Sequence, residues 1–370
     1  MFGGVVRPGG GVRPGRGRAV ALLLAMTAVA IACSSAPDDS AETASTADAE
    51  TTDAPAETTT TQAPTEEPVD ESAELPTVRS ITTDFGTFEI PAEPERILVL
   101  DPVIALPTAL DLGAPVVGTL SSTGDAAINA LITDEEWAGL EILGSSTQAS
   151  LEAVAAAEPD LILISPTSEE EFELYAQIAP AVPLVLTNRW QDDAALVAEA
   201  LGSTAEFEQQ LADYQARADE IGEAIDEGDG DPAIAVVRIR PDQIRVHTSV
   251  HFAGNVLDDV GVRIPEDWIR EPLEDPVANL RQRIQPISLE QLGLLDTADH
   301  LLVLVEGTPA QSDADVTAAF DEVTGSALWA GLPAVQAGNV HIVERHWLAG
   351  SLRAARLSIE DLATIFEVDA

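Results

Sequence analysis

The chain has 370 residues, of which 45% are hydrophobic and only 4% aromatic, and its 64 acidic and 18 basic residues give a formal charge of −46. An acidic excess of this size argues against binding to nucleic acid or to any broad phosphate surface, because those partners require basic patches. The length is sufficient for two lobes of ordinary domain size, and the single cysteine, Cys33, excludes a disulfide framework.

Residues 1–33 have the pattern of an export signal. Four arginines and no acid precede Ala19–Ala32, an uncharged stretch that is too short to span a membrane comfortably. The sequence Ala30-Ile31-Ala32-Cys33 resembles a bacterial lipobox, although Ala30 stands where such motifs usually have Leu, Val or Ile. The resemblance implies that the thiol of Cys33 is lipidated and anchors the protein to the outer face of the cytoplasmic membrane, in the Gram-positive manner. The alternative is an incidental cysteine in an ordinary signal peptide.

Residues 34–76 are predicted to form a disordered, acidic tether. They are mostly Thr, Ala, Ser, Pro, Asp and Glu, so no core can offset the entropy that ordering would cost. Twelve acidic residues repel one another and extend the segment. A glycosylated stalk with its site at Thr58–Thr61 is the alternative use.

Residues 77–190 alternate short apolar runs with helical patterns and are predicted to form an N-terminal lobe. The alternation predicts right-handed βαβ crossovers and a parallel sheet that is covered on both faces. Pro107 indicates that the first helix begins there or is kinked. The predicted strands are Arg96–Asp101, Pro115–Leu120, Leu161–Ser165 and Pro183–Thr187, and the predicted helices are Val103–Leu112, one that opens at Ser150, and Glu169–Ile178.

Residues 191–228 are the predicted connecting region, and their main feature is a long helix over Ala205–Ile225. Apolar or small side chains recur every three or four residues there and form one stripe. They are Phe207, Leu211, Tyr214, Ala218, Ile221 and Ile225. Ser203 and Thr204 are candidate N-caps, and Gly228 predicts the end. One long helix between two similar blocks predicts a strut that holds two lobes apart, with a cleft between them.

Residues 229–370 repeat the alternation and are predicted to form a C-terminal lobe. The block opens with a hairpin, in which a short turn joins two strands. The predicted strands are Ala233–Arg240, Ile244–Thr248, Leu301–Val305 and Val340–Val343, and the predicted helices are Phe252–Val260, one that opens at Ser288, Asp315–Val323 and Ser351–Phe366.

A short internal repeat relates the two blocks. Ser150-Leu151-Glu152 and Ser288-Leu289-Glu290 each open a short helix that is followed by an aspartate and an apolar strand. The separation is 138 residues at the glutamate (290 − 152) and 139 at the aspartate (299 − 160). Two related lobes explain this repeat better than one continuous sheet does.

Three segments carry a resemblance to a known family: RILVLDP with ALDLGAPVVG, LEAVAAAEPDLILIS, and ALWAGLPAVQAGNVHIVERHWLAG. From about Val78 to Phe366, this ordered series resembles the substrate-binding proteins of iron-siderophore, haem and cobalamin ABC importers, the class III periplasmic binding proteins with a single hinge helix. The resemblance implies an α/β fold with two Rossmann-like lobes, joined by one long rigid α-helix, and a ligand cleft between the lobes.

The same resemblance implies a binding function without catalysis. Ferric siderophore binders of the Gram-positive type match best, so the protein is expected to capture a ferric siderophore and deliver it to ABC permease subunits. It is expected to be a monomer held at the lipid bilayer by its N-terminal anchor, with no cofactor, since the siderophore itself holds the iron. Cobalamin, haem and a bare metal ion are alternative ligands. A secreted enzyme is a distant alternative, because the sequence has no G-x-S-x-G elbow, P-loop or dinucleotide fingerprint after a strand.

Glu152 and Glu290 occupy equivalent places in the internal repeat. Each lies near a predicted helix start, where a carboxylate complements the partial positive charge of the helix by roughly 0.3 to 1 kcal/mol. A purely stabilising role is therefore one interpretation. The resemblance implies another, in which one glutamate on each lobe docks to arginines on the membrane permease.

Several arginines on one hairpin are the main candidates for ligand binding. Arg238 and Arg240 share a face of one predicted strand, and Arg245 and His247 share a face of the next. Pairing with nearby acids is one explanation. The other is a basic cleft floor for the anionic oxygens of a ferric chelate, since guanidinium groups supply directed donors and charge. The resemblance favours the second.

Further candidates follow predicted strands, at the ends that open on a cleft in α/β sheets. Arg189 and Trp190 end the first block, and Arg345 and Trp347 follow a strand of the second. The indoles would pack on a flat chelator, and the alternative for Trp190 is packing at the hinge. The remaining candidates are Ser121 and Ser122, just past the second strand.

Two histidine pairs raise direct metal binding as an alternative. His247 and His251 are four residues apart, and His341 and His346 are five apart. A spacing of four brings imidazoles together only on a helix, and the first pair lies where a strand leads into a loop. The spacing therefore argues against direct metal coordination by these histidines, in keeping with the resemblance, which implies that a siderophore holds the iron.

Overall fold

The computed structural model of the protein describes residues 77–83, 85–121, 126–146, 148–166, 168–184, 187, 189–274, 280–307 and 311–368, without the side chains of 126, 127, 280 and 281. The predicted export signal with Cys33, the predicted tether over 34–76, and Ser122 lie outside these residues. Within them, no helix is long and apolar enough to cross a membrane.

The N-terminal lobe is built on a parallel sheet. A hairpin of β1 (Val78–Thr83) and β2 (Gly86–Pro91) precedes it. The sheet strands are β3 (Ile97–Leu100), β4 (Val116–Thr119), β5 (Glu141–Ile142), β6 (Leu161–Ile164) and β7 (Ala181–Pro183), in the order β5-β4-β3-β6-β7. The helices that accompany them are α1 (Ala105–Asp111), α2 (Ala126–Asn129), α3 (Asp134–Ala138), α4 (Leu151–Ala156) and α5 (Glu169–Ala176). The predicted βαβ alternation is confirmed.

Burial on both faces explains why these strands are continuous apolar runs. In β3, Ile97 and Val99 belong to a core that includes α1, whereas Leu98 and Leu100 belong to a second core that includes α4 and α5. Successive side chains of a strand point to opposite faces, so a sheet covered twice requires apolar residues at every position.

Several element bounds differ from the prediction, and two of the differences have a local physical explanation. β7 ends at Pro183, and the backbone N–H of Thr187 donates to Asp193 Oδ1 at 2.7 Å, so Thr187 lies in the turn after the strand and not in the strand. The first helix begins at Ala105, and Pro107 lies in its first turn. Proline is tolerated there because the first N–H groups of a helix have no intrahelical acceptor.

Two consecutive helices follow the first lobe, α6 (Trp190–Leu201) and α7 (Thr204–Asp229). Gly202, in the left-handed conformation at φ 74°, separates them. The predicted long helix is confirmed as α7, whose stripe is buried except for the half-buried Leu211. It is longer than predicted, since 26 residues continue through Gly228. α6 was not predicted.

The C-terminal lobe has a mixed sheet. Its strands are β8 (Ile234–Ile239), β9 (Ile244–His247), β10 (Ile284–Ile287), β11 (His300–Val305) and β12 (Val340–Ile342), in the order β10-β9-β8-β11-β12. The hairpin β8–β9 is confirmed, and β10 adds an antiparallel edge that was not predicted. The helices are α8 (Phe252–Val260), α9 (Leu280–Arg283), α10 (Asp313–Thr324), α11 (Ala327–Ala330), α12 (Pro333–Ala337) and α13 (Leu352–Ile365), with 3-10 turns at Glu266–Trp268, Leu289–Leu295 and Arg345–Leu348.

The internal repeat corresponds to equivalent structure in the two lobes. Ser150 caps α4 and Ser288 caps the 3-10 turn Leu289–Leu295. Asp160 accepts hydrogen bonds from the backbone N–H groups of Glu95 and Arg96, at the start of β3. Asp299 accepts one from Ala233, at the start of β8, at 2.8 Å. In both lobes, therefore, an aspartate just before one strand (β6 or β11) accepts hydrogen bonds from the backbone at the start of another strand of the same sheet (β3 or β8).

The two lobes share one hydrophobic core. Buried residues of α1, α6, α7, α8 and α13 form a single cluster with the facing sides of β3, β6, β8 and β11. Arg353 of α13 donates to Asp111 Oδ1 at the end of α1, to the carbonyl of Leu131, and to both carboxylate oxygens of Glu136. α13, which follows the second sheet in sequence, thus also packs against the first lobe.

Candidate ligand-binding site

A cavity of about 280 Å³ lies between the two lobes. Its first side is lined by Val103 and Ile104, which follow β3, and by Trp190 and Asp193 from the first turns of α6. Opposite lie His251, Phe252 and Asn255 at the start of α8, Arg283 and Ile284 where α9 meets β10, and Leu348 and Gly350. The cavity therefore meets the carboxyl end of β3, the edge at which open α/β sheets bind ligands.

A polar contact between the lobes closes one side of this cavity. Arg283 Nη2 donates to the carbonyl oxygen of Thr187. The backbone N–H of Thr187 donates in turn to Asp193. Burial raises the pKa of Asp193 to about 6, against the opposing effect of these hydrogen bonds and of Arg283. Burial also lowers the pKa of Arg283, and Asp193 counteracts that shift. A buried carboxyl group and a half-buried guanidinium from different lobes thus come together at the cavity wall.

Beside the cavity, the hairpin β8–β9 carries a cluster of arginines on one face. The strand register places Arg238 directly opposite Arg245, and the face continues to Arg240 and His247. Arg238 Nη2 and Arg240 Nη1 both donate to Glu306 Oε1, which follows β11 and whose side chain is 8% exposed. Pairing with an acid, the first of the two explanations weighed above, therefore holds for Arg238 and Arg240 in this structure.

The other members of the cluster lack such partners. Arg245 makes no ion pair within the described ranges, and its pKa is lowered by burial and by the charges of Arg240 and Arg238. Both ring nitrogens of His247 and the Nε of Arg238 are buried and find no hydrogen-bond partner in the described part of the chain. Buried polar atoms are rarely left unsatisfied, so this face offers unused polar atoms to a ligand.

The two histidines of this region are closer than the sequence indicated. The rings of His247 and His251 have centroids 4.0 Å apart, because the chain turns sharply from β9 into α8. The expectation that a spacing of four would not bring them together was therefore wrong. Burial, with help from neighbouring arginines, lowers the pKa of His251 to about 3 and that of His247 well below its usual value. Both imidazoles are therefore neutral at physiological pH.

Arg189 and Trp190 form a junction of helices. Arg189 pairs with Asp258 and Asp259 of α8, and Trp190 Nε1 donates to Asp259 Oδ2 at 3.3 Å. The hydroxyl of Tyr214 in α7 donates to the same carboxylate at 2.9 Å. Trp190 touches the cavity but is only 3% exposed. The structure thus shows the hinge-packing role that was the alternative for Trp190.

The remaining candidates do not line the cavity. Trp347 is fully buried, and its Nε1 donates to Asp361 at 2.8 Å, so its ring packs in the core. Arg345 and Ser121 are half-buried beside strand ends. Leu348 and Gly350, slightly further along the chain than Trp347, are the residues that reach the cavity. The segment that carries Trp347 therefore borders the cavity, but Trp347 itself does not line it.

Glu152 and Glu290 are both exposed, each in the first turn of its helical segment. A hydrogen bond with the Ser288 side chain lowers the pKa of Glu290. Both carboxylates are therefore accessible to a partner.

Across the described ranges, no group of three or more His, Cys, Asp or Glu side chains is arranged to hold a metal ion. The second predicted pair is divided, since His341 contacts His300 and His346 contacts Asp361.

Two α/β lobes, a long connecting helix and a charged cavity between the lobes are the architecture of a two-lobed binding protein. The chain belongs to the periplasmic binding protein family, whose sequence profile matches residues 107–344. A probable siderophore-binding lipoprotein of Bacillus subtilis, YfiY, is 28% identical over 299 residues, which cover 78% of this chain and 87% of the relative.

Two other relatives extend the comparison. The achromobactin-binding periplasmic protein of Dickeya dadantii is 26% identical over 278 residues, 74% of this chain and 86% of the relative. The crystal structure of Staphylococcus aureus SirA complexed with staphyloferrin B superimposes with a TM-score of 0.67 at 26% identity, covering 79% of this chain and 99% of SirA. The two-lobed fold expected from the sequence is confirmed.

Proposed function

We propose that this protein captures a ferric siderophore between its lobes and delivers it to the permease of an ABC importer. The observation that carries the proposal is the cluster of three arginines and a histidine along β8 and β9, beside a cavity between the lobes, in which, among the described residues, only Arg238 and Arg240 contact a buried carboxylate. Fixed guanidinium groups in a partly dry site favour an anionic ligand with several oxygen acceptors. The names of the three relatives, which refer to a siderophore, achromobactin and staphyloferrin B, support this ligand class.

The proposed roles divide among the residues as follows. Arg238, Arg240, Arg245 and His247 form the floor that meets the anionic oxygens. Arg283 and His251, which the sequence did not single out for this role, join the floor to the cavity. Since ligand pockets usually enclose about 300 to 1,000 Å³, the cavity of 280 Å³ must widen toward the cluster to hold a whole chelate.

Glu152 and Glu290 are proposed to dock to the permease, and Cys33 is proposed to carry the lipid anchor.

Arg245 gives the sharpest test of the ligand-binding floor. It makes no ion pair among the described residues, so Arg245→Ala removes a charge from the cluster without stranding a buried acid. We expect at least tenfold weaker binding of ferric siderophore, measured by quenching of tryptophan fluorescence, with thermal stability unchanged. The matched control is Arg217→Ala, because Arg217 pairs with Glu220 and Glu360 at the surface of α7.

The ligand class is tested with the same assay. The unaltered protein is titrated with a ferric catecholate, a ferric hydroxamate, ferric citrate, haem and cobalamin. Binding of at least one ferric chelate in preference to haem and cobalamin is expected. Binding of none of the ferric chelates, or equal affinity of Arg245→Ala and the unaltered protein, contradicts the proposal.

A further inference from the structure

The carboxylate of Glu306 occupies donors that a ligand on this face would otherwise use. It accepts from Arg238 Nη2 and, at 3.3 Å, from Arg240 Nη1, and its side chain is 8% exposed. Arg238 and Arg240 are themselves only 15% and 10% exposed in their side chains. An anion that belongs to the chain therefore already sits on the terminal nitrogens of this arginine pair.

The cluster nevertheless holds more positive charge than Glu306 can balance. Arg245 lies opposite Arg238 and makes no ion pair in the part of the chain that is described. Asp242 reaches Arg240 at 3.1 Å, but it lies on the turn, with 43% of its side chain exposed. Among the described residues, the face thus has three arginines and only one buried carboxylate, that of Glu306. It can therefore bind a further anion, or a ligand anion can replace the carboxylate of Glu306.

We propose that Glu306 is a specificity-determining residue that acts as an internal competitor. Its carboxylate holds the Arg238–Arg240 pair in the free protein and is displaced when an anionic group of the ligand binds there. This inference rests on the function proposed above. The site thereby selects ligands whose anionic groups bind the pair better than a carboxylate does, and it gives no advantage to a neutral chelate.

The energetics of buried charge explain the direction of the effect. Guanidinium groups that are buried without an anion are unfavourable, and removing one partner of a buried ion pair leaves such a group behind. Replacing Glu306 by glutamine therefore raises the free energy of the empty site. The occupied site is changed less, because there the ligand supplies the anion. The difference between the two states appears as tighter binding of anionic ligands.

The decisive comparison is between the unaltered protein, Glu306→Gln and Asp242→Asn. Asp242 is the matched control because it pairs with the same Arg240 from the exposed turn. Each protein is titrated with ferric citrate, a ferric tris-catecholate and a neutral ferric tris-hydroxamate, with tryptophan quenching as the readout. We expect Glu306→Gln to bind the anionic chelates at least fivefold more tightly than the unaltered protein and the neutral chelate within twofold. Asp242→Asn should stay within twofold throughout.

A second measurement requires no siderophore. Inorganic sulfate is small enough to occupy the arginine pair that Glu306→Gln vacates. Sulfate at low millimolar concentration, where its general stabilising effect on folded proteins is negligible, should therefore raise the Tm of this variant above its value in chloride at equal ionic strength. The unaltered protein should show no such difference. If Glu306→Gln does not fold, Glu306→Asp is used, since its shorter side chain weakens the contact with the pair and should give a smaller change in the same direction.

The outcomes separate the two proposals. Failure of every protein to bind any ferric chelate, together with a sulfate effect confined to the glutamine variant, overturns the ferric siderophore function but retains the exchangeable anion position. Chelate binding by the unaltered protein, with binding by Glu306→Gln unchanged or weaker, overturns the inference alone and assigns Glu306 to orienting the arginines. Absence of both chelate binding and a sulfate effect overturns both.

Discussion

Asp193 lies where the two lobes meet, and its burial gives it unusual acid–base behaviour. It is 7% exposed, lies near Arg283 at the cavity wall, and is also near Asp101 of the first lobe. Burial raises its pKa to about 6, compared with about 3.9 for an aspartate in an unfolded chain. The folded protein therefore binds this proton more tightly than the unfolded chain does. It follows that the contribution of Asp193 to the free energy of unfolding falls as the pH rises from about 4 to about 6.

We predict that Asp193→Asn removes this loss, which is roughly 2 to 3 kcal/mol because one pKa unit corresponds to about 1.4 kcal/mol. The free energy of unfolding of the variant, measured with urea at several pH values, should fall less than that of the unaltered protein between pH 4 and 6. Asp192→Asn is the control, since Asp192 is the exposed neighbour. Parallel profiles for Asp193→Asn and the unaltered protein would show that Asp193 titrates normally.

The sequence explains some features of the candidate site and not others. Arg238, Arg240, Arg245 and His247 alternate along two strands, so their shared face followed from the period of a strand. Arg283 and Asp193 carry no such pattern, because they meet only when β10 and α6 come together across the lobes. Trp347 lies in a 3-10 turn and is fully buried. Tertiary packing decides which side of such a turn faces the core, and the local sequence contains no pattern that predicts it.

At the level of elements, the contact between α7 and α8 depends on a glycine. A Cβ atom at Gly222 of α7 would overlap the carbonyl oxygen of Val260 at the end of α8. Backbone that approaches this closely cannot move aside without shifting α8, whose first turn lines the cavity. Gly228 lies six residues further along α7. A Cβ atom at Gly228 would have no other atom within 4 Å.

This pair of glycines gives a matched prediction. Gly222→Ala should lower the free energy of unfolding by about 1 to 3 kcal/mol or more, the usual cost of overpacking, and should also weaken ligand binding. Gly228→Ala should raise it by about 0.5 to 1 kcal/mol, because alanine is the better helix former. Chemical denaturation measures both. Equal effects of the two substitutions would show that the helices do not pack as closely as described.

The elements that could be predicted are those with a strong period or a clear stop. The helix α7 was predicted from six apolar or small residues that recur every three or four positions. The β8–β9 hairpin was predicted from two apolar runs on either side of Pro241-Asp242. α6 was missed because its buried positions include Gln191 and Asp193, which interrupt the apolar pattern. β10 was missed because its short run contains Pro286, which is tolerated only at an edge or a bulge. In both cases tertiary contacts, rather than local propensity, decide the structure.

For the whole molecule, the shared core constrains how the lobes present themselves to a partner. α1, α6, α7, α8 and α13 bury side chains in one cluster that reaches both sheets. Interiors packed in this way deform little. Glu152 and Glu290, one on each lobe, should therefore keep a nearly constant separation with and without ligand.

We predict that Glu152→Ala with Glu290→Ala abolishes uptake of radiolabelled ferric siderophore by cells while ligand binding stays within twofold. The physical reason is that both carboxylates are exposed and neither lines the cavity, so their removal affects an external partner rather than the ligand. Glu208→Ala with Glu223→Ala, which removes two exposed acids of α7, should leave uptake intact. Unimpaired uptake by the first double variant would rule out docking through these glutamates.

The packing of α13 also bears on when this protein can fold. The ion pair of Arg353 with Asp111 joins residues 242 positions apart, and it closes a core that α1 begins. Contacts between such distant parts of a chain slow folding, because the ends of a long loop must meet first. A nascent chain that has completed the first sheet still lacks one wall of its core until α13 has been synthesised. We therefore expect the N-terminal lobe to complete its folding only after α13 is available, so that the two lobes become stable together.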